Sequence, residues 1–371
     1  MVFYILKRTK KFFFFILLIG DYMKLLLLLL ILPINVLAYQ TSATSTCFMD
    51  VDSNRIIYKD NENTVRSVAS ISKIMTAILA IESEKLEDIV VIGDINSYGS
   101  GIYVKKGEKI SLLDLVYGLM LRSGNDAAIA IAEHVSGTKE EFVKLMNQKA
   151  SEIGMTKTVF VNPSGLDQED GGNKSTACDM AKLMAYCMQN ETFKEITKTK
   201  KHKVKTNMNY YEWTNKNKLL TKYKYAVGGK TGFTEKARRT LVTAAKKGPT
   251  TLTVVTLNDG NDFEDHENLY NEAFKEYKTY TILKKGYIDI PDEEFYKNRY
   301  FYVKERFKYL LKDTEKNKIL IKYNLKELYN YKDNDQVGKA TIYLDDEKIF
   351  ETDIFISIKK KKIKIWDLIF K

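Results

Sequence analysis

"KYAVGGKTGFTEKARRTLVTAAKKGPTTLTVVTLND", residues 224–259, decides how the rest of the chain is read. It contains three strand-like runs, "KYAVGGKTGFT", "RTLVTAAKK" and "TTLTVVTLND", with turn signals between them. A helical pattern from about Phe263 to Tyr277 follows, and several apolar helices precede. Helices gathered around a late run of neighbouring strands predict an α/β (α+β) layered domain with an antiparallel sheet.

Working outward, "TCFMDVDSNRIIYKDNEN" reads as two strands around an Asp-Ser-Asn turn. "SVASISKIMTAILAIE", residues 67–82, predicts a helix from about Ser70 with no clear polar face, the mark of a buried helix. "SLLDLVYGLMLRSGNDAAIAIAEHV" reads as two apolar helices separated at Ser123-Gly124-Asn125, and "KEEFVKLMNQKASEIG" as an amphipathic helix stopped by Gly154. A further helix is capped near Ser175 or Thr176. From about Leu283 lysine, tyrosine and alternating strands take over, ending in a hairpin that turns at Asp345-Asp346. The expected divisions are a signal peptide over 1–38, a catalytic domain over 39–282, a small all-β domain over 283–357 and a tail over 358–371.

The formal charge of +11 is concentrated at the ends: +4 over residues 1–38 and +5 over 359–371, leaving +2 for the body between. That distribution argues for export and membrane contact and against a nucleic-acid-binding face. From Met23, Lys24 is followed by "LLLLLLILPINVLA", with Val36 and Ala38 at the −3 and −1 places of a cleavage site, so cleavage is expected after Ala38. The 22 residues before Met23 form a second basic–apolar unit: either translation starts at Met23, or the export signal has two parts. In the tail, Lys360, Lys364, Asp367 and Lys371 share one helical face and Ile363, Trp366, Ile369 and Phe370 the other. This reads as a basic amphipathic helix suited to an anionic membrane surface, or as a last strand with a lysine-rich end. Of the cysteines, Cys178 and Cys187 lie on one predicted helix, roughly 13 Å apart along its axis, and cannot bridge each other. No thiol pair is expected to be structural.

The three histidines, His134, His202 and His266, form no cluster with cysteine at metal spacing, and no metal or cofactor is expected. No G-x-S-x-G elbow occurs, so a serine enzyme here needs a base other than histidine. Ser70 and Lys73, at i and i+3, share a helix face. A buried lysine loses its proton readily because desolvation disfavours the ammonium, and can then activate a serine hydroxyl. Taken alone, the pair reads as a surface lysine on the first turn. In "LRSGNDAA", Ser123 and Asn125 lie between buried helices where polar side chains need partners; either could also cap the following helix. In "GGKTGF", Gly232 removes a side chain where something approaches a strand backbone closely. Lys230 and Thr231 at a strand edge can grip a carboxylate, and the extended backbone can add a peptide as a strand.

Together, in this order, S-x-x-K, S-x-N and K-T-G form the signature of penicillin-binding proteins and class A β-lactamases. "ASISKIMTA", "GLMLRSGNDAAIAIAEHVSG", "FVNPSGLD" with "STACDMAKL", and "GGKTGFTEKARRTLVTAA" resemble the low-molecular-weight D-alanyl-D-alanine carboxypeptidases over about residues 45–280. The final hairpin resembles the end of that family's C-terminal β domain. The resemblance implies a penicillin-binding fold and a penicillin-sensitive serine peptidase acting on peptidoglycan stem peptides at the outer face of the cytoplasmic membrane. It implies Ser70 as nucleophile and Lys73 as base, and oxyanion donors at the N–H groups of Ser70 and Phe233. Ser123, Asn125 and Lys230 would handle protons and orientation, and Lys230 and Thr231 the terminal carboxylate. β-Lactams would acylate the same serine. One departure is Arg238, where the family usually has glycine in a turn between strands. The nearest alternative, a class A β-lactamase, uses a glutamate in an E-x-x-L-N setting; the closest match, Glu169 to Asn173, has Gly172 where leucine belongs. An endopeptidase acting on cross-links could use the same site.

Overall fold

A computed structural model describes residues 39–167, 172–291 and 293–359. The export signal, Glu169 and the tail from residue 360 onward lie outside them. The described residues from 41 onward pack as one compact unit.

The unit opens with β1 (Ser45–Asp50) and β2 (Ile56–Asp60), joined at Asp52-Ser53-Asn54 with Asn54 left-handed at φ 56°. After β3 (Arg66–Ser67), a 3-10 turn (Ala69–Ser72) leads into α1 (Lys73–Glu82). Ser70 therefore sits in this tight lead-in, not in the first α-helical turn, and Lys73 opens the helix. A short hairpin of β4 (Ile89–Val91) and β5 (Lys109–Ser111) precedes α2 (Leu112–Arg122), which breaks at Ser123-Gly124 before α3 (Asn125–Ser136) and α4 (Lys139–Glu152). Next come β6 (Lys174–Ser175), α5 (Ala177–Cys187), capped by the Thr176 hydroxyl, and α6 (Glu191–Lys198). The hairpin of β7 (Lys201–Lys205) and β8 (Tyr210–Thr214) and a single turn, α7 (Leu219–Lys222), lead to the meander β9 (Ala226–Thr234), β10 (Arg238–Lys247) and β11 (Thr250–Leu257). Helix α8 (Asp262–Glu276) closes this part.

The sheet has the antiparallel order β2-β1-β11-β10-β9, with the "GGKTGF" strand on one edge. Both faces are covered, which explains why every residue of β1 and all of Thr240–Ala245 are buried. On one face Cys47, Met49, Val242, Ala244 and Val255 join the core of the helical layer, with Ile74, Ile78, Leu115, Leu119 and Ile131. On the other, α8 brings Tyr270 edge-on against Phe48, and His266 between the hydroxyls of Thr243 and Thr256.

Cys47 of β1 and Cys178 of α5 form a disulfide, with Cα atoms 5.1 Å apart. This corrects the expectation that no thiol pair is structural. Helix α5 does carry both Cys178 and Cys187, but it lies across β1, and the partner comes from 131 residues away in sequence. Cys187 stays a buried free thiol whose ionisation burial suppresses.

The C-terminal region begins with β12 (Tyr277–Leu283), and the expected boundary at 282/283 falls within this strand. It continues through β13 (Gly286–Ile288), β14 (Tyr300–Val303), β15 (Phe307–Lys312), β16 (Ile319–Leu325), β17 (Gln336–Leu344) and β18 (Glu347–Ser357). β12 pairs with β15, and the others form a sheet in the order β13-β14-β18-β17-β16. The expected hairpin is present: Leu344 pairs with Glu347 across Asp345-Asp346. Val303, Phe307, Leu311, Ile342, Ile354 and Ile356 form a core of their own. Among the described residues no helix is long and apolar enough to cross a membrane.

Candidate active site

The chain before Ser70 is held on three sides. β3 pairs with β6, the Val68 N–H donates to the Asn173 carbonyl, and the Thr240 hydroxyl donates to the Val68 carbonyl at 3.0 Å. Ala69 then adopts φ 53°, a left-handed conformation costing an L-residue about 1 kcal/mol or more. Two glycines let other backbone close on this bend. A Cβ on Gly165 (φ 76°) would lie 2.0 Å from the Ala69 carbonyl oxygen, and one on Gly232 would lie 3.0 Å from the Ser70 nitrogen. The "KTG" strand edge therefore runs directly beside the Ser70 N–H, as the glycine suggested.

Lys73 is fully buried, at 0% exposure. Its Nζ lies 3.0 Å from Ser70 Oγ and 2.7 Å from Asn125 Oδ1, and it donates a further short hydrogen bond to the Ser164 carbonyl. Burial first, then the charges of Lys230 and Lys216, drive its pKa well below the usual lysine value; Asp126 opposes this weakly. A neutral amine has two N–H groups and one lone pair. Asn125 Oδ1 and the Ser164 carbonyl can only accept, so they take the two N–H groups. The lone pair is left facing the Ser70 hydroxyl.

The break between α2 and α3 supplies the other wall. Ser123 ends α2 at φ 65°, which frees its hydroxyl to accept from Lys230 Nζ at 2.9 Å. Gly124 is the N-cap of α3 and no side chain caps that helix. Both side chains offered as alternative caps are thus turned into the site. Asn125 Nδ2 donates to the Tyr98 carbonyl at 2.7 Å, fixing its Oδ1 towards Lys73. Asp126 accepts from the N–H groups of Ile102, Tyr103 and Ala127, tying the loop before β5 to the same turn. Lys230, 1% exposed, also donates to the Thr231 carbonyl; burial and the Lys216 charge push its pKa down to about 7. Thr231 and Gly232 are half-buried on the strand edge and Phe233 is 60% exposed.

Lys73 is thus bonded to Ser70 and Asn125, Lys230 to Ser123, and Gly232 of the β9 edge lies against the Ser70 nitrogen, with Thr231 and Phe233 as its neighbours on the strand. The histidines lie elsewhere: His134 at the surface against Asp88, His202 against Asp114 and stacked on Tyr117, and His266 behind the sheet. Among the described residues no group of three or more His, Cys, Asp or Glu is gathered as a metal site requires. Sequence reasoning missed the Ser164 carbonyl, the Ala69 strain and Lys216. Gly165, just after Ser164, was the available signal for a close backbone approach; a main-chain acceptor has no side chain to announce it.

A family model described as peptidase S11, D-alanyl-D-alanine carboxypeptidase, matches residues 34–261. The chain belongs to the D-alanyl-D-alanine carboxypeptidase family. It is 33% identical over 255 residues to D-alanyl-D-alanine carboxypeptidase DacF of Bacillus subtilis, covering 66% of this chain and 65% of that one. It is 32% identical over 285 residues to carboxypeptidase DacC of Escherichia coli, covering 72% and 68%. The alignment thus spans about two thirds of these relatives. The structure of penicillin-binding protein 6B from Escherichia coli superposes over 86% of this chain and 97% of its own, with TM-score 0.67 and 25% identity. That match reaches past α8 into the C-terminal sheets, so it takes in part of the sheet-rich region as well as the domain before it.

Proposed function

We propose that the chain removes the terminal D-alanine from peptidoglycan stem peptides through an acyl-enzyme on Ser70. Lys73 takes the Ser70 proton as Oγ attacks the penultimate D-alanine carbonyl. The oxyanion is received by the N–H groups of Ser70 and Phe233. The Ser123 hydroxyl, relayed by Lys230, passes a proton to the leaving amine as the C–N bond breaks, and water then hydrolyses the ester. Asn125 orients Lys73 and the peptide, while Lys230, Thr231 and Gly232 line the strand edge along which the substrate lies. The single observation that carries this reading is the buried Lys73 Nζ, 3.0 Å from Ser70 Oγ, with its other two contacts made to oxygens that only accept.

We further propose that residues 39–282 do the chemistry and 283–357 form an accessory β domain. The protein works outside the cytoplasmic membrane, exported by the signal over 1–38 and held at the membrane surface by the basic tail. β-Lactams should acylate Ser70. Fluorescent penicillin labelling followed in time tests this: a persistent adduct on Ser70 supports a carboxypeptidase, rapid loss of the adduct means a β-lactamase, and absence of labelling ends the reading.

A further inference from the structure

A lysine-rich stretch links the end of α6 to β9. Residues 198–224 hold nine lysines and a single acid, Glu212, a net of +8, whereas residues 39–358 as a whole carry only +2. The rest of the body is therefore net −6, and the lysines are a local concentration rather than a general property of the surface. All of the nine except Lys216 are exposed.

The fold gathers five of them around one groove of about 670 Å³. Lys198, Lys200 and Lys201 come from the end of α6 and the start of β7, and Lys222 and Lys224 from the end of α7 and just beyond it. Glu195, the one acid lining the groove, is taken by Lys198 at 2.7 Å. Among the described residues no carboxylate pairs with Lys200, Lys222 or Lys224, and Lys224 lies over the Tyr225 ring instead. From the groove, Lys201, Lys203 and Lys205 alternate along β7 and so share one face, about 7 Å apart. Glu212 is shared between Lys201 at 3.3 Å and Lys203 at 3.5 Å, so one negative charge answers two positive ones.

This groove is separate from the catalytic cleft. It meets β9 at Ala226 and Val227, the latter about 10 Å along the strand from Lys230, and its Tyr223 stacks on Tyr270 of α8, behind the sheet. Among the described residues none of its lining side chains bonds to Ser70, Lys73, Ser123, Asn125 or Lys230.

The surplus of unpaired cations calls for an anion, and their continuation along β7 calls for one that repeats. No arginine lines the groove. Arginine suits planar, bidentate recognition of a carboxylate or a terminal phosphate, while lysine offers a point charge that matches a phosphodiester with one charge per repeat. A flat bilayer fits poorly, because the lysines surround a hollow and no exposed large apolar side chain lines it to enter lipid. Resting on the location outside the membrane proposed above, we propose that the groove and the β7 row bind an extended wall polymer carrying one phosphodiester per repeat. The polymer then holds the protein to the wall by a surface other than the catalytic cleft.

The test measures binding of the full chain to poly(glycerol phosphate) and, separately, to phosphatidylglycerol vesicles, which present the same phosphodiester on a flat surface. One variant combines Lys200→Gln, Lys222→Gln and Lys224→Gln. A control of equal net charge combines Lys297→Gln, Lys326→Gln and Lys332→Gln, at exposed lysines of the C-terminal region. Exposed ionic contacts are individually weak and screened by salt, so the groove variant should lose about tenfold in affinity for the polymer at about 0.1 M salt. The control should lose less than about twofold, and vesicle binding should be alike in all three proteins. Equal losses in the two variants would reduce the patch to net charge and overturn the proposal, as would a wild type that ignores the polymer. A groove variant that keeps the polymer but loses the vesicles would assign these lysines to the membrane and overturn it as well. Export is checked apart from this, by the new N-terminus expected after Ala38, and the Ser70 chemistry by penicillin labelling, so failure of either reading is told from failure of this one.

Discussion

At the scale of single residues, the proposed mechanism depends on two lysines, Lys73 and Lys230, that are buried at an energetic disadvantage. Lys73→Ala should fold and lose at least about a thousandfold in acylation rate by labelled penicillin, since it removes the amine that lies 3.0 Å from Ser70 Oγ. Full-speed release of D-alanine by that variant would dismiss the mechanism. Lys230 makes a prediction about stability. Its folded pKa of about 7 lies below its unfolded value near 10.5. Below pH 7 both states hold the proton and the burial cost is present in full. Between about 7 and 10.5 the unfolded chain binds more protons, so stability rises with pH. Lys230→Met should therefore be more stable than wild type at pH 7, by on the order of 2 kcal/mol, with the gap narrowing by pH 10 in urea denaturation. Arg238 is a smaller case. It occupies φ 58° directly opposite Thr234 in the β9–β10 hairpin, the geometry expected from a glycine position filled by another residue. Arg238→Gly should raise the denaturation midpoint by the equivalent of about 0.5–1 kcal/mol. It should change peptide preference more than penicillin acylation; equal effects on both would remove any role for the arginine in selection.

At the scale of elements, position depends on contacts that are long-range in sequence. Gly165 lets one loop place the Ser164 carbonyl on Lys73, so Gly165→Ala, with its Cβ driven onto the Ala69 carbonyl, should slow acylation far more than it lowers the melting temperature. The Cys47–Cys178 bridge spans 131 residues and should contribute about 2–4 kcal/mol. Cys178→Ser, or reduction under mild denaturant, should lower the unfolding midpoint accordingly while native protein still labels with penicillin. These two features also mark what was legible in the sequence. β9 to β11 and the break at Ser123-Gly124-Asn125 could be read, because each rests on local periodicity or a short fixed spacing. The disulfide could not, because the crossing of α5 over β1 depends on packing that no local pattern encodes. The Ser164 carbonyl was hidden for a different reason, since main-chain acceptors are the same at every residue.

At the scale of the whole molecule, one arginine ties the first hairpin to the C-terminal region. Arg55, just before β2, donates to the Leu310 carbonyl at 2.6 Å and to both carboxylate oxygens of Glu315 at 2.9 and 2.6 Å, and lies over the rings of Tyr277 and Tyr309. Both partners are mostly shielded from water, so removing one leaves the other charge poorly compensated. Arg55→Ala should cost about 2–3 kcal/mol and split calorimetric unfolding into two transitions, while penicillin labelling of Ser70 persists; a single unshifted transition would show that the two regions are joined by other contacts.

The sheet ends at β9, and that open margin has a further consequence. Gly228 and Gly229 are held there by Asn217 and Thr197, while the stretch from Thr231 to Thr234 forms the margin proposed to receive substrate, and an exposed strand edge can also pair with a second copy of the protein. The turn after it carries Glu235 and Lys236, the start of β10 carries Arg238 and Arg239, and such a cluster of charge resists edge-to-edge stacking. Neutralising those side chains should make the protein precipitate at high concentration, and an extended peptide bound along β9 should restore its solubility.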